Sequence, residues 1–369
     1  MSDLSKRWPD KTVPYIFYSL DKKTMDVFKK AAQLWMNDTC IDFTEYREWT
    51  KKGDPIPPTG HLAVAPGQGC FSYVGRKGPG PQTLILGKGC ESVGIAAHEI
   101  GHALGFFHTQ ARYDRDEYIT VNKANIKKDW TPDFDKQDEE DNNNYGQTYD
   151  YGSIMHYGSY SSIAAVNKKQ RIMNANDGNY TATLGSDIIS FYDLLMMNKL
   201  YDCLGKCNDN KPICQNEGFA HPRDCSRCVC PSGFGGPLCD KKPSNCGEEL
   251  EATDSWQTVE KTLEAGEEGE DRDEYKRCTY WIKAPENVDN AKIEVRIAEL
   301  PEEFNKDGCI YAGVEIKARE DKRLTGYRFC SQDDVGIELS SDSKIVPVIV
   351  YSGSRKKPFT TKLDYRYTL

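Results

Sequence analysis

The chain of 369 residues has no apolar run long enough, at about 18 residues, to cross a membrane. It has no surplus of positive charge either: the formal net charge is -9, which argues against a nucleic-acid-binding surface. The opening MSDLSKRWPD is polar and is not a signal peptide. Cysteine, by contrast, is plentiful. Fourteen is an even number, too high for ordinary cytosolic use. These features together predict a mature or trimmed form of an exported, extracellular protein, and the length predicts two or three domains. Two sequons, Asn37-Asp38-Thr39 and Asn179-Tyr180-Thr181, fit export and make Asn37 and Asn179 candidate glycosylation sites.

Only six histidines occur, and three of them fall in HEIGHALGFFH, His98 to His108. On a helix, His98 and His102 are four residues apart and project from one face. Glu99 stands beside the first, within reach of a water in an open metal position. Gly105 can take the left-handed conformation that ends a helix. The chain can then turn back so that His108 supplies a third nitrogen. Three protein ligands leave a coordination position open, the pattern of a catalytic rather than a structural Zn²⁺. Buried histidines on an ordinary helix would explain one pair of these residues but not the whole spacing.

SIMHY, Ser153 to Tyr157, follows about fifty residues later, and the pair of motifs is the metzincin signature. With RYDRDEYI, Arg112 to Ile119, between them, the chain resembles the astacin family of zinc endopeptidases. The resemblance implies that Met155 forms an apolar floor under the imidazoles. It also implies that Tyr157 is both an additional zinc ligand and a catalytic residue, swinging off the metal to stabilise the transition state. His156 need not touch the metal. Glu99 becomes the general base that later protonates the leaving amine.

The cysteines divide the chain into a protease domain (1-203), an EGF-like module (204-241) and a CUB-like domain (242-369). For the first, the resemblance implies pairs Cys40-Cys203 and Cys70-Cys90. CVCPSGFGGPLC resembles an EGF-like module and implies Cys207-Cys225, Cys214-Cys228 and Cys230-Cys239, with a zinc knuckle at Cys225, Cys228 and Cys230 as the competing reading. CTYWI and the spacing of the last cysteines resemble a CUB domain and imply Cys246-Cys278 and Cys309-Cys330. The stretches RCTYWIKAP, AKIEVRIAEL, GVEIKARE, KIVPVIVYSG and TKLDYRYTL alternate as the strands of an antiparallel sandwich. The EGF-like module carries no acidic consensus ahead of Cys207. Ala312 and Gly313 stand where many CUB domains carry a calcium-binding Asp, so neither module is expected to bind calcium.

The expected fold is an α+β metzincin domain, a twisted sheet plus an active-site helix, followed by the small disulfide-rich module and the all-β sandwich. Strands are expected in TVPYIFYSL, CIDFTEY, HLAVAPG and TLILGKG, and helices in Lys23-Thr39, Glu91-Phe107 and Ser190-Cys203. CFSYVG, Cys70 to Gly75, resembles the segment that forms the upper rim of the cleft in astacins, which implies a strand on which an extended substrate could pair its backbone; the alternative is a plain disulfide-bound loop.

Two departures from the family pattern stand out. Thr109 follows the third histidine where a glutamate is usual, so an anchored N-terminus is not expected. Gly185-Ser186-Asp187 replaces the family's GQR, so residues after the cut are expected to be neutral or basic rather than acidic. Protein or peptide substrates are expected, extracellular-matrix or tissue proteins among them, with the C-terminal modules selecting substrates or partners. On that reading, small-peptide cleavage survives deletion of Cys207 to Leu369. The alternative is an adhesive, matrix-binding protein. The acidic stretch Asp133 to Tyr151 reads as a solvated loop, EEGEDRDE (267-274) as an exposed loop, and His61 and His221 as surface residues.

Overall fold

The computed structural model describes residues 6-47, 58-207, 211-266, 275-353 and 357-369. The expected exposed loop at 267-274 lies outside them. The first part carries β1 (Thr12–Phe17), α1 (Lys22–Asn37), β2 (Asp42–Tyr46), β3 (Leu62–Ala65), β4 (Cys70–Ser72), β5 (Gln82–Leu86) and α2 (Val93–Ala103). Its strands form one sheet in the order β2-β1-β3-β5-β4, in which only β4 runs antiparallel to its neighbour. β4 is therefore an edge strand with one row of backbone groups unpaired within the sheet.

Helix α1 starts where the Asp21 side chain accepts from the Thr24 amide at 3.0 Å, and it buries Val27, Phe28, Ala31, Ala32 and Trp35. Trp35 donates its indole N–H to Ala97 O on α2. The end of α2 leaves carbonyls without helical partners. Trp8 donates to Ala103 O at 2.9 Å and the Tyr201 hydroxyl to Leu104 O at 3.0 Å, so two aromatic side chains fix the helix end. Gly105, at φ 118°, then reverses the chain in a conformation that would strain any side chain.

The lower half is largely irregular. It contains the short pair β6 (Ile119–Val121) and β7 (Met173–Ala175), and ends in α3 (Phe191–Leu200). A capping box opens α3: Ser190 accepts from the Asp193 amide, and Asp193 accepts from the Ser190 amide. The stretch Asp133 to Tyr151 departs from a solvated loop. Asp138 to Asp141 are exposed, but Asn142, Asn144, Gln147, Tyr149, Asp150 and Tyr151 are buried, because Arg112 draws the Gln147 and Thr148 carbonyls inward.

All fourteen cysteines are paired: Cys40-Cys203, Cys70-Cys90, Cys207-Cys225, Cys214-Cys228, Cys230-Cys239, Cys246-Cys278 and Cys309-Cys330. Cys225, Cys228 and Cys230 thus enter three different disulfides and form no knuckle. The small module holds the hairpin of β8 (Phe219–His221) and β9 (Asp224–Val229). The C-terminal part is a two-sheet sandwich. Its strands are β10 (Glu249–Glu251), β11 (Gln257–Leu263), β12 (Lys276–Lys283), β13 (Lys292–Glu299), β14 (Ala312–Ile316), β15 (Tyr327–Phe329), β16 (Glu338–Ser341), β17 (Ile345–Ser352) and β18 (Phe359–Thr368). One sheet is ordered β10-β12-β17-β14-β15 and the other β11-β18-β13-β16.

His61 and His221 are buried, contrary to expectation. His61 sits over the Pro58 carbonyl at 2.9 Å. His221 contacts Asn37 O at 2.8 Å, and its neighbour Arg223 donates to the carbonyls of Met36, Thr39 and Ile41. The small module therefore caps the C-terminal end of α1, satisfying backbone acceptors that the helix leaves over. Arg223→Ala should cost about 1–2 kcal/mol of stability through those carbonyls, read as a lower denaturation midpoint with an unchanged m-value.

Candidate metal centre and active-site cleft

Helix geometry places His98 and His102 one turn apart on α2, and the turn at Gly105 returns His108 to them. Nitrogens of the three rings lie within 4.8 Å of one another. His98 Nδ1 is 2.7 Å from Ile154 O, and His102 Nδ1 is 2.6 Å from Phe106 O. A carbonyl only accepts, so both Nδ1 atoms carry the proton and both Nε2 atoms present lone pairs. Those Nε2 atoms are 3.2 and 2.9 Å from His108 Nε2.

Nitrogens around a tetrahedral zinc at ~2.0–2.1 Å stand about 3.3 Å apart, so this spacing fits a zinc ion. Burial pushes the His98 and His108 imidazoles below their ordinary range and His102 down to about 3. The rings are therefore neutral, as metal ligands must be. The carbonyl partners act as the outer support that fixes ring orientation.

Met155 lies directly under the helix. A side chain at Gly101 would meet Met155 Sδ at 2.6 Å, so the glycine inside HEIGH is what admits the methionine. Gly101→Ala should therefore cost about 1–3 kcal/mol by overpacking, checked as a fall in Tm of the zinc-loaded protein. The SIMHY turn is held from below by Asp193, which accepts from Ser153 Oγ at 2.6 Å and from the Ile154 amide at 2.9 Å. The Thr109 hydroxyl donates to Ser153 Oγ at 3.0 Å, joining the third histidine's segment to the same network. Asp193 and Thr109 thus tie His108, the Met155 turn and α3 together. Asp193→Ala strands several buried donors, at about 1–3 kcal/mol each, and should lower Tm by several degrees before any effect on chemistry.

The Tyr157 ring packs 4.2 Å from the His108 ring and 6.0 Å from Phe134, centroid to centroid. Its amide donates to Gln110 Oε1 at 3.0 Å. Burial holds its hydroxyl protonated, well above the ordinary tyrosine range. His156 points away from the triad: its Nε2 meets the Tyr149 hydroxyl at 2.5 Å. Glu99 is buried, and its Oε2 has no hydrogen-bond partner. That burial pushes its carboxyl up to about 8, against the Ser72 amide of β4, which favours the charged form.

These groups open into a cleft of about 820 Å³. Phe71, on β4, is 48% exposed along its upper rim. Val74, Lys88, Gly94, Phe107, Gly158 and Gly185–Asp187 also line the cleft. Asp187 packs on Gly94, in the first turn of α2. The two sequon asparagines lie away from the triad. Asn37 is exposed at the end of α1, and Asn179 is half-buried with Tyr180 and Thr181 buried beside it.

Gln110 and Asp193 were not read as site residues from the sequence. Asp193 carried a usable signal, since Ser190-x-x-Asp193 before an apolar run is a capping box. Gln110 carried none.

Fold and site define a metzincin zinc-peptidase domain. The peptidase-family model Astacin matches residues 1-202. Zinc metalloproteinase nas-31 of Caenorhabditis elegans is 43% identical over 363 residues, 98% of this chain and 56% of that protein. The chain spans about half the length of the curated relatives it matches, nas-31 at 56% and nas-32 at 54%. Among solved structures, high choriolytic enzyme 1, a hatching enzyme zinc-protease from Oryzias latipes, is 31% identical, with 53% of this chain and 92% of that chain covered at a TM-score of 0.46. The MASP-1 CUB2 domain bound to Ca²⁺ is 16% identical, with 32% of this chain and 96% of that chain covered at a TM-score of 0.23. The chain belongs to the astacin family.

Proposed function

We propose that the chain is a secreted zinc endopeptidase that hydrolyses peptide bonds of extracellular or tissue proteins. The observation that carries this reading is the set of three neutral, converging imidazoles with a buried, partly unpaired carboxylate beside them. His98, His102 and His108 would hold the zinc, and Tyr157, whose ring packs against His108, would add a further ligand. When bound, zinc supplies Lewis acidity, polarising the scissile carbonyl and making water nucleophilic at neutral pH.

The chain's own groups do the rest. Glu99 accepts the proton of the attacking water and returns it to the leaving amine. The Tyr157 hydroxyl, kept protonated by burial, donates to the oxygen on which charge develops. The edge strand β4 offers backbone groups to an extended substrate, aligning it across the cleft. Asp187 lines the cleft and opposes acidic side chains there, so residues after the cut are neutral or basic. Seven disulfides and the absence, among the described residues, of any helix long and apolar enough to cross a membrane support export.

A quenched-fluorescent peptide pool, cleaved with and without 1,10-phenanthroline and then with added zinc, tests the reading. Chelator-sensitive, zinc-restored cleavage is expected. Failure of a zinc-loaded, disulfide-bonded sample to cut any peptide overturns it. A strong Asp or Glu preference after the cut overturns the specificity assignment alone.

A further inference from the structure

The C-terminal sandwich does not hang from the protease domain by a linker. The Asp307 carboxylate accepts from the Ser159 hydroxyl and from the Tyr160 amide, both at 2.8 Å, directly after Tyr157. A side chain at Gly158 would run into Asp307, and one at Gly308 into the Gly185 carbonyl. A side chain at Gly185 would in turn meet the Gly158 backbone at 2.7 Å. Three glycines thus bring three backbone segments into contact, two from the protease domain and one from the sandwich.

Arg328 reinforces the same corner. Its guanidinium donates to Ser186 Oγ at 2.8 Å, its amide to Thr183 Oγ1 at 3.0 Å, and it is paired with buried Glu315 at 3.0 Å. Further back, Thr325 donates twice to Asp150, through its amide at 3.2 Å and its hydroxyl at 3.1 Å. The apolar core of the lower half and that of the sandwich form one continuous cluster, from Tyr149 and Tyr180 to Val314 and Phe329.

What the sandwich grips is one wall of the cleft. Gly158 and Gly185–Asp187 all line that cleft. Gly158, Gly185 and Ser186 each meet a partner in the sandwich, whereas Asp187 packs on Gly94 of α2. We propose that the C-terminal sandwich is a working part of the active site: the Asp307–Gly308 corner fixes the wall formed by Gly158 and Gly185–Asp187, and so shapes the subsites on one side of the scissile bond. Asp307 is a positioning residue, since it acts through Ser159 and Tyr160. This rests on the reading of the chain as a peptidase. It also changes the expectation for chains ending before Cys207, which would lose the support of this wall and with it efficient cleavage of even short peptides.

The test uses the full chain with Asp307→Ala, Asp307→Asn and Ser159→Ala. Each is assayed on two peptide sets, extended on either the N-terminal or the C-terminal side of the same cut. Asparagine can still accept from the Tyr160 amide and donate to the Ser159 hydroxyl, so it should restore wild-type behaviour. For Asp307→Ala, KM should rise about tenfold for one peptide set only, with kcat and zinc content unchanged, and the residue preference on that side should broaden. Ser159→Ala should shift the same set in the same direction by less. Equal loss on both sets, or no change in either for both alanine variants, overturns the proposal while leaving the peptidase reading intact. A wild-type chain that cleaves neither set removes the peptidase reading itself, and the proposal falls with it.

Discussion

Replacing Glu99 by Gln is expected to lower kcat by about 10²–10⁴-fold, the range a positioned general base contributes, with zinc content unchanged. The structural reason is specific. Glu99 Oε2 is buried with no partner, and burial raises the carboxyl to about 8. A group that only packed the helix would not be left in that state, because an unpaired buried polar atom costs about 1–3 kcal/mol. Gln keeps the shape and stays neutral without taking up a proton, so the variant's Tm should match or exceed that of the wild type. Stability held or gained while turnover collapses is the mark of strain kept for chemistry. Measured kcat, zinc stoichiometry and Tm on one preparation settle the point. A Gln variant within tenfold of wild type would remove Glu99 from its role.

The catalytic half of the molecule was legible because its information is local. His98, Glu99, His102, Gly105 and His108 sit on one helix and the turn after it, so spacing alone converts to geometry. Helix α1 was readable for the same reason, from apolar residues at helical spacing. Strands β10, β11, β15 and β16 were not foreseen. Three of them are only three or four residues long, and β11 alternates polar residues with few apolar ones.

Errors arose where a contact spans the chain. His221 looked like a surface residue because its partner, Asn37, lies 184 positions earlier. Asp150 seemed part of a solvated loop because Thr325, its partner, lies 175 positions later. Glu315, Lys317 and Arg328 break the apolar pattern of their strands, yet they are buried together where the three parts of the chain meet. Only the fold shows that Glu315 neutralises Arg328 and Lys317. The docking of the sandwich on the cleft wall belongs to this class.

Tyr157→Phe is expected to lower kcat by about 10²–10³-fold, the cost of one well-placed oxyanion donor, and kcat/KM by the same factor. Equal falls in the two constants mark an interaction made only in the transition state. The ring itself should stay in place. It is wedged between His108 and Phe134, and its backbone amide is held by Gln110, none of which involves the hydroxyl. Phenylalanine therefore keeps the packing, and zinc should remain on the three imidazoles, two of them oriented by Ile154 and Phe106. Zinc content should equal that of the wild type, which separates this variant from His102→Ala, where a ligand is lost and metal with it. The ligand and donor roles of Tyr157 are also separable. A hydroxyl that serves mainly as a ligand would, on removal, weaken zinc retention during dialysis against chelator and leave kcat of the loaded enzyme near normal. A fall in kcat at full zinc occupancy assigns the hydroxyl to the reacting oxygen; kcat within threefold of wild type, with zinc retention also unchanged, would leave Tyr157 as packing against His108.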